Sequence, residues 1–192
     1  MRLYAHRYCP YSRRVRIVLA ELALEVEDVE LTPKAPHPPA LAGKVPFEHG
    51  VPVLEVREDL VIWDSAAIVE WLDAAHPGSV MPSTRDEQAR ARAWVGWATQ
   101  TYPMVKDVVL EKDPDKRAHA ERAIAERLAK IEPLFTGEWL VPPTCSIADL
   151  GLGPVVARLS STTIGSLPTK TRAWAERLIA RPSVRKVCEL DG

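Results

Sequence analysis

Tyr8-Cys9-Pro10-Tyr11-Ser12 stands between a short apolar segment, Leu3-Tyr4-Ala5, and a run in which Val15, Val18, Leu19 and Leu22 recur at helical spacing. The first reads as a strand and the second as the apolar stripe of a helix lying on a sheet. Pro10 suits the first helical turn, where its missing N–H has no intrahelical partner to lose and its φ is already helical. Cys9 therefore falls at or beside the helix N-cap. The unpaired backbone N–H groups and the positive end of the helix dipole favour a thiolate there, and Arg13 and Arg14 add positive charge one turn on. A thiolate is the nucleophilic form of cysteine, so the position predicts reactivity. Burial as a small hydrophobe would leave the proline, the basic pair and the helix start together unexplained.

Outward from this stretch, Glu25 to Leu31 alternates polar and apolar residues, as a strand with one solvated face does. Strand, helix and strand make a βαβ unit with two parallel strands. Pro33 to Pro39 is too proline-rich for either element and begins a surface crossing that reaches Gly50 with at most one short helix. Pro52 to Val56 and Leu60 to Trp63 predict a tight antiparallel hairpin about Arg57-Glu58-Asp59. Asp64-Ser65 starts a helix with Ile68, Leu72 and Ala75 on one face, ended by His76-Pro77-Gly78. Residues 1–76 thus predict a βαβ-ββα domain, and 77–84, rich in Pro, Gly and Ser, a linker.

Residues 85–192 predict an all-helical domain. Arg85 to about Leu110 is a long helix in which Pro103 predicts a kink or break. Its apolar residues cover more than one face, so it packs against its own domain and against either the first domain or a partner subunit. A second helix is expected from Asp115 to Phe135, with its charges as a solvated face. Ser146-Ile147-Ala148-Asp149 reads as a capping box with an acid in place of the usual Glu or Gln. Leu150 to Leu159 follows as a buried central helix, then helices over 169–180 and 183–189.

A net charge of -1 gives no electrostatic footprint for nucleic acid. No apolar run approaches the roughly 20 residues that would span a bilayer. Met1-Arg2-Leu3-Tyr4 lacks an apolar signal core, so a cytoplasmic location is expected. The 3 cysteines, Cys9, Cys145 and Cys188, are distant, odd in number and without ligand spacing, which predicts reduced thiols and no metal site.

Four signals now stand in order: Cys9-Pro10-Tyr11-Ser12, Val51-Pro52, Asp64-Ser65 and the Ser146-to-Asp149 box. In this order the chain resembles the cytosolic glutathione S-transferase superfamily over nearly its whole length. The resemblance implies an α/β thioredoxin-like N-terminal domain, an all-α C-terminal domain and glutathione as co-substrate. It implies a cis Val51-Pro52 bond, with the Val51 backbone pairing the cysteinyl unit of glutathione as an added strand. Asp64 and Ser65 then meet the γ-glutamyl end at a helix N-terminus, although the family more often has Glu or Gln in place of Asp64. Tyr11 lines the glutathione site, and Lys44 or His49 meets the glycyl carboxylate. Ser146 and Asp149 are assigned to folding.

A cysteine at position 9 resembles the omega, lambda, beta and dehydroascorbate-reductase-like branches, and the glutaredoxins. That implies thiol transfer, with Cys9 attacking a glutathione mixed disulfide. Ser12 stands where a dithiol site has its second cysteine, so a monothiol cycle is expected. Conjugation of glutathione to a small electrophile is the other enzymatic reading, with Tyr11, Trp97, Thr101, Tyr102 and Met104 as pocket walls. Tyr4 and Tyr8 are weaker candidates for steadying the thiolate. The resemblance further implies a homodimer and, from the short C-terminus, an open site suited to large disulfides. Val15 to Glu21 and the stretch from Trp63 to Asp73 also resemble stringent starvation protein A, a non-catalytic RNA polymerase-binding regulator. That family generally lacks the site cysteine.

Overall fold

The structure is a computed structural model describing residues 1–32, 36–47, 50–76 and 80–188. Four strands, β1 Arg2–Ala5, β2 Glu27–Glu30, β3 Val53–Arg57 and β4 Leu60–Trp63, form one mixed sheet in the order β2-β1-β3-β4. β1 is parallel to β2 and antiparallel to β3, which pairs antiparallel with β4. Helix α1, Pro10–Glu21, crosses from β1 to β2, and α2, Ser65–Ala75, follows β4. This is the expected βαβ-ββα order, a thioredoxin-like sheet. The period of two along each strand sorts its residues between two faces. Leu3, Ala5 and Leu54 join the main core with Val15, Val18 and Leu19 of α1. Tyr4 and Val53 face the other way and enclose Leu41. The crossing from β2 to β3 is therefore anchored: Leu41, in a short 3₁₀ turn Pro39–Leu41, is fully buried.

The helical region holds α3 Arg85–Leu110, α4 Pro114–Ala129, α5 Ile147–Leu150, α6 Gly153–Val156, α7 Ser161–Gly165, α8 Thr169–Ile179 and α9 Pro182–Cys188. Thr84 and Glu87 start α3 with a reciprocal capping box, and the helix runs through Pro103 without ending. The helix expected over 115–135 stops at Ala129 and gives way to a 3₁₀ turn, Glu132–Leu134, because Pro133 cannot continue the hydrogen-bond ladder. The helix expected over 150–159 divides into α5 and α6 for a similar reason. Pro154 sits in the first turn of α6, the one place where its missing N–H is harmless. The short α7 has no counterpart in the sequence reading; Ser160 caps it by accepting from Thr163 N.

One core runs from β1 to α9. Gly153 shows how closely the two regions meet, since a Cβ there would lie 3.0 Å from Ile17 Cδ1 of α1 and 3.3 Å from Val184 Cγ2 of α9. The α1 helix is thus fixed between the sheet and the helices, and with it the start that carries Cys9. Of the expected linker, residues 77–79 lie outside the described residues. Val80 N and Met81 N donate to Asp73 Oδ1 of α2 at 3.1 and 3.0 Å, and Val80 O accepts from Ile147 N at 2.8 Å. Among the described residues no helix is long and apolar enough to cross a membrane.

Candidate functional site

Cys9 is the N-cap of α1, with Pro10 as the first helical residue. Its carbonyl accepts from Arg13 N at 2.9 Å and its N–H donates to His6 O at 3.1 Å, so the backbone on both sides is tied. The half-buried thiol donates to Val51 O at 3.8 Å. The Val51-Pro52 bond is cis. Ser12 is buried, and its hydroxyl accepts from His6 N at 3.2 Å, which fastens the loop between β1 and α1. The two arginines one turn on are both buried and turn to different surroundings. Arg13 Nε donates to Arg7 O at 2.7 Å, while Arg14 turns toward the helical region. Positions 13 and 14 lie about 100° apart around a helix, so the two side chains leave it in different directions.

Beside Cys9 opens a cleft of about 310 Å³, lined by Tyr11, Phe47, Gly50, Val51, Pro52, Trp63, Asp64 and Ser65. Asp64 caps α2: its Oδ1 accepts from Ala66 N at 2.8 Å and Ala67 N at 3.2 Å. Its φ of 73° is a conformation few residues other than glycine adopt, and one that Asp tolerates better than most. Ser65 is buried, and its Oγ accepts from Arg14 Nη1 at 3.1 Å.

Arg14 is the site residue whose place the sequence did not reveal. It is fully buried, and its partners among the described residues are all neutral. Nε donates to Tyr102 Oη at 2.8 Å, Nη2 to Thr99 Oγ1 at 2.9 Å and Val95 O at 3.3 Å, and the guanidinium lies 4.6 Å from the Tyr102 ring centroid. Burial pushes the Tyr102 hydroxyl up to about 12 even against the Arg14 charge, so it stays a phenol and donates to Gly151 O at 2.5 Å. A buried cation without an anion is costly unless one is supplied. Here it stands directly behind Ser65 at a helix N-terminus, where the dipole also favours an anion. An extended ligand with a carboxylate at one end and a sulfur at the other suits this arrangement.

The remaining candidates divide. Tyr11 and Tyr102 meet edge-on with centroids 4.8 Å apart, on the Cys9 side of α3. Trp97 and Thr101 instead face α4: Arg127 lies 4.7 Å from the Trp97 ring centroid and donates to Thr101 Oγ1 at 2.7 Å. Met104 packs half-buried against the core. Lys44 pairs with Glu55 at 3.3 Å and is not among the cleft residues above, and His49 lies outside the described residues. Tyr4 donates to Glu55 Oε2 at 3.1 Å on the far face of the sheet, while Tyr8 is exposed. Burial, with Asp149 nearby, pushes the Cys145 thiol far up and leaves it protonated. Among the described residues no group of His, Cys, Asp and Glu is arranged to hold a metal. A larger groove of about 630 Å³ runs along α1, β2 and α9, but its Arg16, Asp28 and Glu30 already pair with one another.

A thioredoxin-like sheet followed by a helical region, with a cleft between a cysteine at a helix start and a cis-proline segment, defines a glutathione transferase architecture. Residues 3–80 match the family described as "Glutathione S-transferase, N-terminal domain", so this N-terminal region belongs to that family. It is similar to the glutathione S-transferase-like protein gedE of Aspergillus terreus, at 27% identity over 205 residues, covering 93% of this chain and 90% of that protein. It is 38% identical over 95 residues to glutathione S-transferase omega-2 of Homo sapiens, covering 48% of this chain and 37% of that protein. Rice GST1, solved in complex with glutathione, superposes with a TM-score of 0.76 at 25% identity, over 96% of this chain and 90% of that one. The omega relative is consistent with a cysteine-type site.

Proposed function

We propose that this glutathione-dependent transferase works by thiol transfer through Cys9. The observation that carries this reading is the Cys9 thiol at the α1 N-cap, 3.8 Å from the carbonyl of cis Val51-Pro52. The Cys9 thiolate attacks the glutathionyl sulfur of a mixed disulfide. The disulfide bond breaks, the partner leaves as a thiolate that takes a proton from water, and glutathione stays joined to Cys9. A second glutathione thiolate then attacks the glutathionyl sulfur, releasing the Cys9 thiolate and glutathione disulfide. Glutathione supplies the electrons, so no further reductant is needed. In the bound peptide the γ-glutamyl carboxylate sits at the α2 N-terminus over Ser65 and Arg14, and the ammonium faces Asp64. The cysteinyl unit pairs with the Val51 backbone, and Lys44 or His49 meets the glycyl carboxylate. The same reading includes a cytoplasmic homodimer divided at residues 77–84.

Conjugation of a small electrophile is a second reading, favoured by the aromatic wall of Tyr11 against Tyr102 beside Cys9. Glutathione-dependent reduction of a cysteine–glutathione mixed disulfide, with wild type and Cys9→Ala compared, separates the possibilities. Thiol transfer predicts a loss of at least about 100-fold in Cys9→Ala. Equal activity in the two proteins would overturn it. No activity in either would turn attention to conjugation and to the RNA polymerase-binding alternative.

A further inference from the structure

His37 holds the segment that leads into Val51. Its Nε2 lies 2.7 Å from Gly50 O. A carbonyl only accepts, so in this contact Nε2 carries the proton. Nδ1 is sealed from solvent and has no hydrogen-bond partner among the described residues, so Gly50 is the ring's one polar engagement there. The ring also meets Phe47 edge-on, with centroids 5.5 Å apart. Phe47 and Gly50 both line the cleft, and Gly50 directly precedes the cis Val51-Pro52 pair.

Gly50 needs such a partner. Its φ of 131° is open to glycine and rarely to other residues, and no side chain of its own limits where its carbonyl points. An outside donor must fix that direction. His37 is suited to do so because its own loop is anchored: Leu41, four residues on, is wholly buried beside Tyr4 and Val53.

We propose that His37 is a positioning residue for glutathione: by donating from Nε2 to Gly50 O it fixes the Val51 backbone in the direction that pairs with the cysteinyl unit. This rests on the reading of the cleft as the glutathione site. The contact is the same before and during the chemical step, so its loss weakens binding and leaves turnover at saturation unchanged.

His37→Gln and His37→Asn provide the test, because the longer amide reaches Gly50 O and the shorter one does not. Calorimetric titration with reduced glutathione, together with KM and kcat for a cysteine–glutathione mixed disulfide, is the measurement. His37→Asn and His37→Ala should bind glutathione about three- to tenfold more weakly and raise KM by a similar factor, with kcat within about twofold. His37→Gln should restore most of the affinity. Asn and Gln variants that bind alike, or a fall in kcat with KM unchanged, would overturn the role of His37 alone. Failure of the wild type to bind glutathione would overturn the reading of the cleft, and this inference with it.

Discussion

The starts of α2 and α5 are built from the same kinds of residue and end in opposite conditions. At α5, Ser146 caps the helix by accepting from Ala148 N at 3.3 Å, and Asp149 closes the box. Asp149 is fully buried, and every side of its carboxylate is occupied. Oδ1 accepts from Leu140 N and Trp174 Nε1, both at 2.9 Å; Oδ2 accepts from Ser146 N at 3.0 Å and Ser146 Oγ at 3.4 Å. Burial pushes this carboxyl up, and those donors pull it back. At α2, Asp64 is exposed and gives Oδ1 to the cap, while Ser65 is backed by a buried cation with no acid among its partners in the described residues. One helix start is saturated and holds the fold together. The other keeps acceptor capacity and charge in reserve, which is the condition for taking up a charged ligand.

The largest effect that sharpens this contrast is expected at α5. Asp149→Ala leaves the buried N–H groups of Leu140, Ser146 and Trp174 without their acceptor, and each orphaned donor costs about 1–3 kcal/mol. A total loss of about 3–5 kcal/mol is expected, read from urea unfolding, with glutathione affinity of the folded fraction unchanged. A loss below about 1 kcal/mol would mean that Asp149 is as dispensable as a surface cap, and the contrast would collapse.

At α2 the expected effect moves from stability to binding. Asp64→Asn keeps a good cap and a side chain that tolerates positive φ, so unfolding should shift by no more than about 0.5 kcal/mol. If Asp64 faces the ammonium of glutathione as proposed, the variant loses that negative charge, and affinity should fall about three- to tenfold in calorimetric titration. Unchanged affinity would make Asp64 a cap and nothing more.

Much of this contrast could be read from the sequence, and one part could not. The helix starts were legible because capping is local: Asp64-Ser65 and Ser146-to-Asp149 carry their signal within four residues. Cys9 was legible for the same reason, through Pro10. Arg14 was not, because its four hydrogen-bond partners lie 51 to 88 positions away in the chain, and nothing in the local pattern distinguishes it from Arg13. Trp97 and Thr101 were assigned to the pocket from α3, which is apolar on more than one side, so periodicity could not say which of its residues meet α1 and which meet α4, where these two contact Arg127. Within the helical region Pro154 broke a pattern that looked continuous, while at Pro103, where a kink or a break is expected, α3 does not end.

The smallest effect tests how the helix that carries Cys9 is tied to the C-terminal helices. Glu21 ends α1, the helix that Cys9 begins, and a negative charge at a helix C-terminus is unfavourable unless it is paired. Arg181, between α8 and α9, supplies the pairing through two bonds of 2.9 and 2.6 Å to Glu21, and Ser183 donates to the same carboxylate. The cleft helix is thereby clasped to the C-terminal helices of the region that α5 holds together. Burial alone would push the Glu21 carboxyl up, but Arg181 and Ser183 hold it below its ordinary range. A carboxyl depressed in the folded state contributes its stability above the unfolded value, about 4.3, and loses it as pH falls through the lower folded value. The stability of wild type over Glu21→Gln should therefore be constant, at about 1 kcal/mol, from pH 7 to about 5 and shrink on further acidification. Urea midpoints of both proteins across that range give the difference directly. A difference that grew on acidification, or that was absent at pH 7, would mean that the clasp contributes nothing and that the cleft helix is held by apolar packing alone.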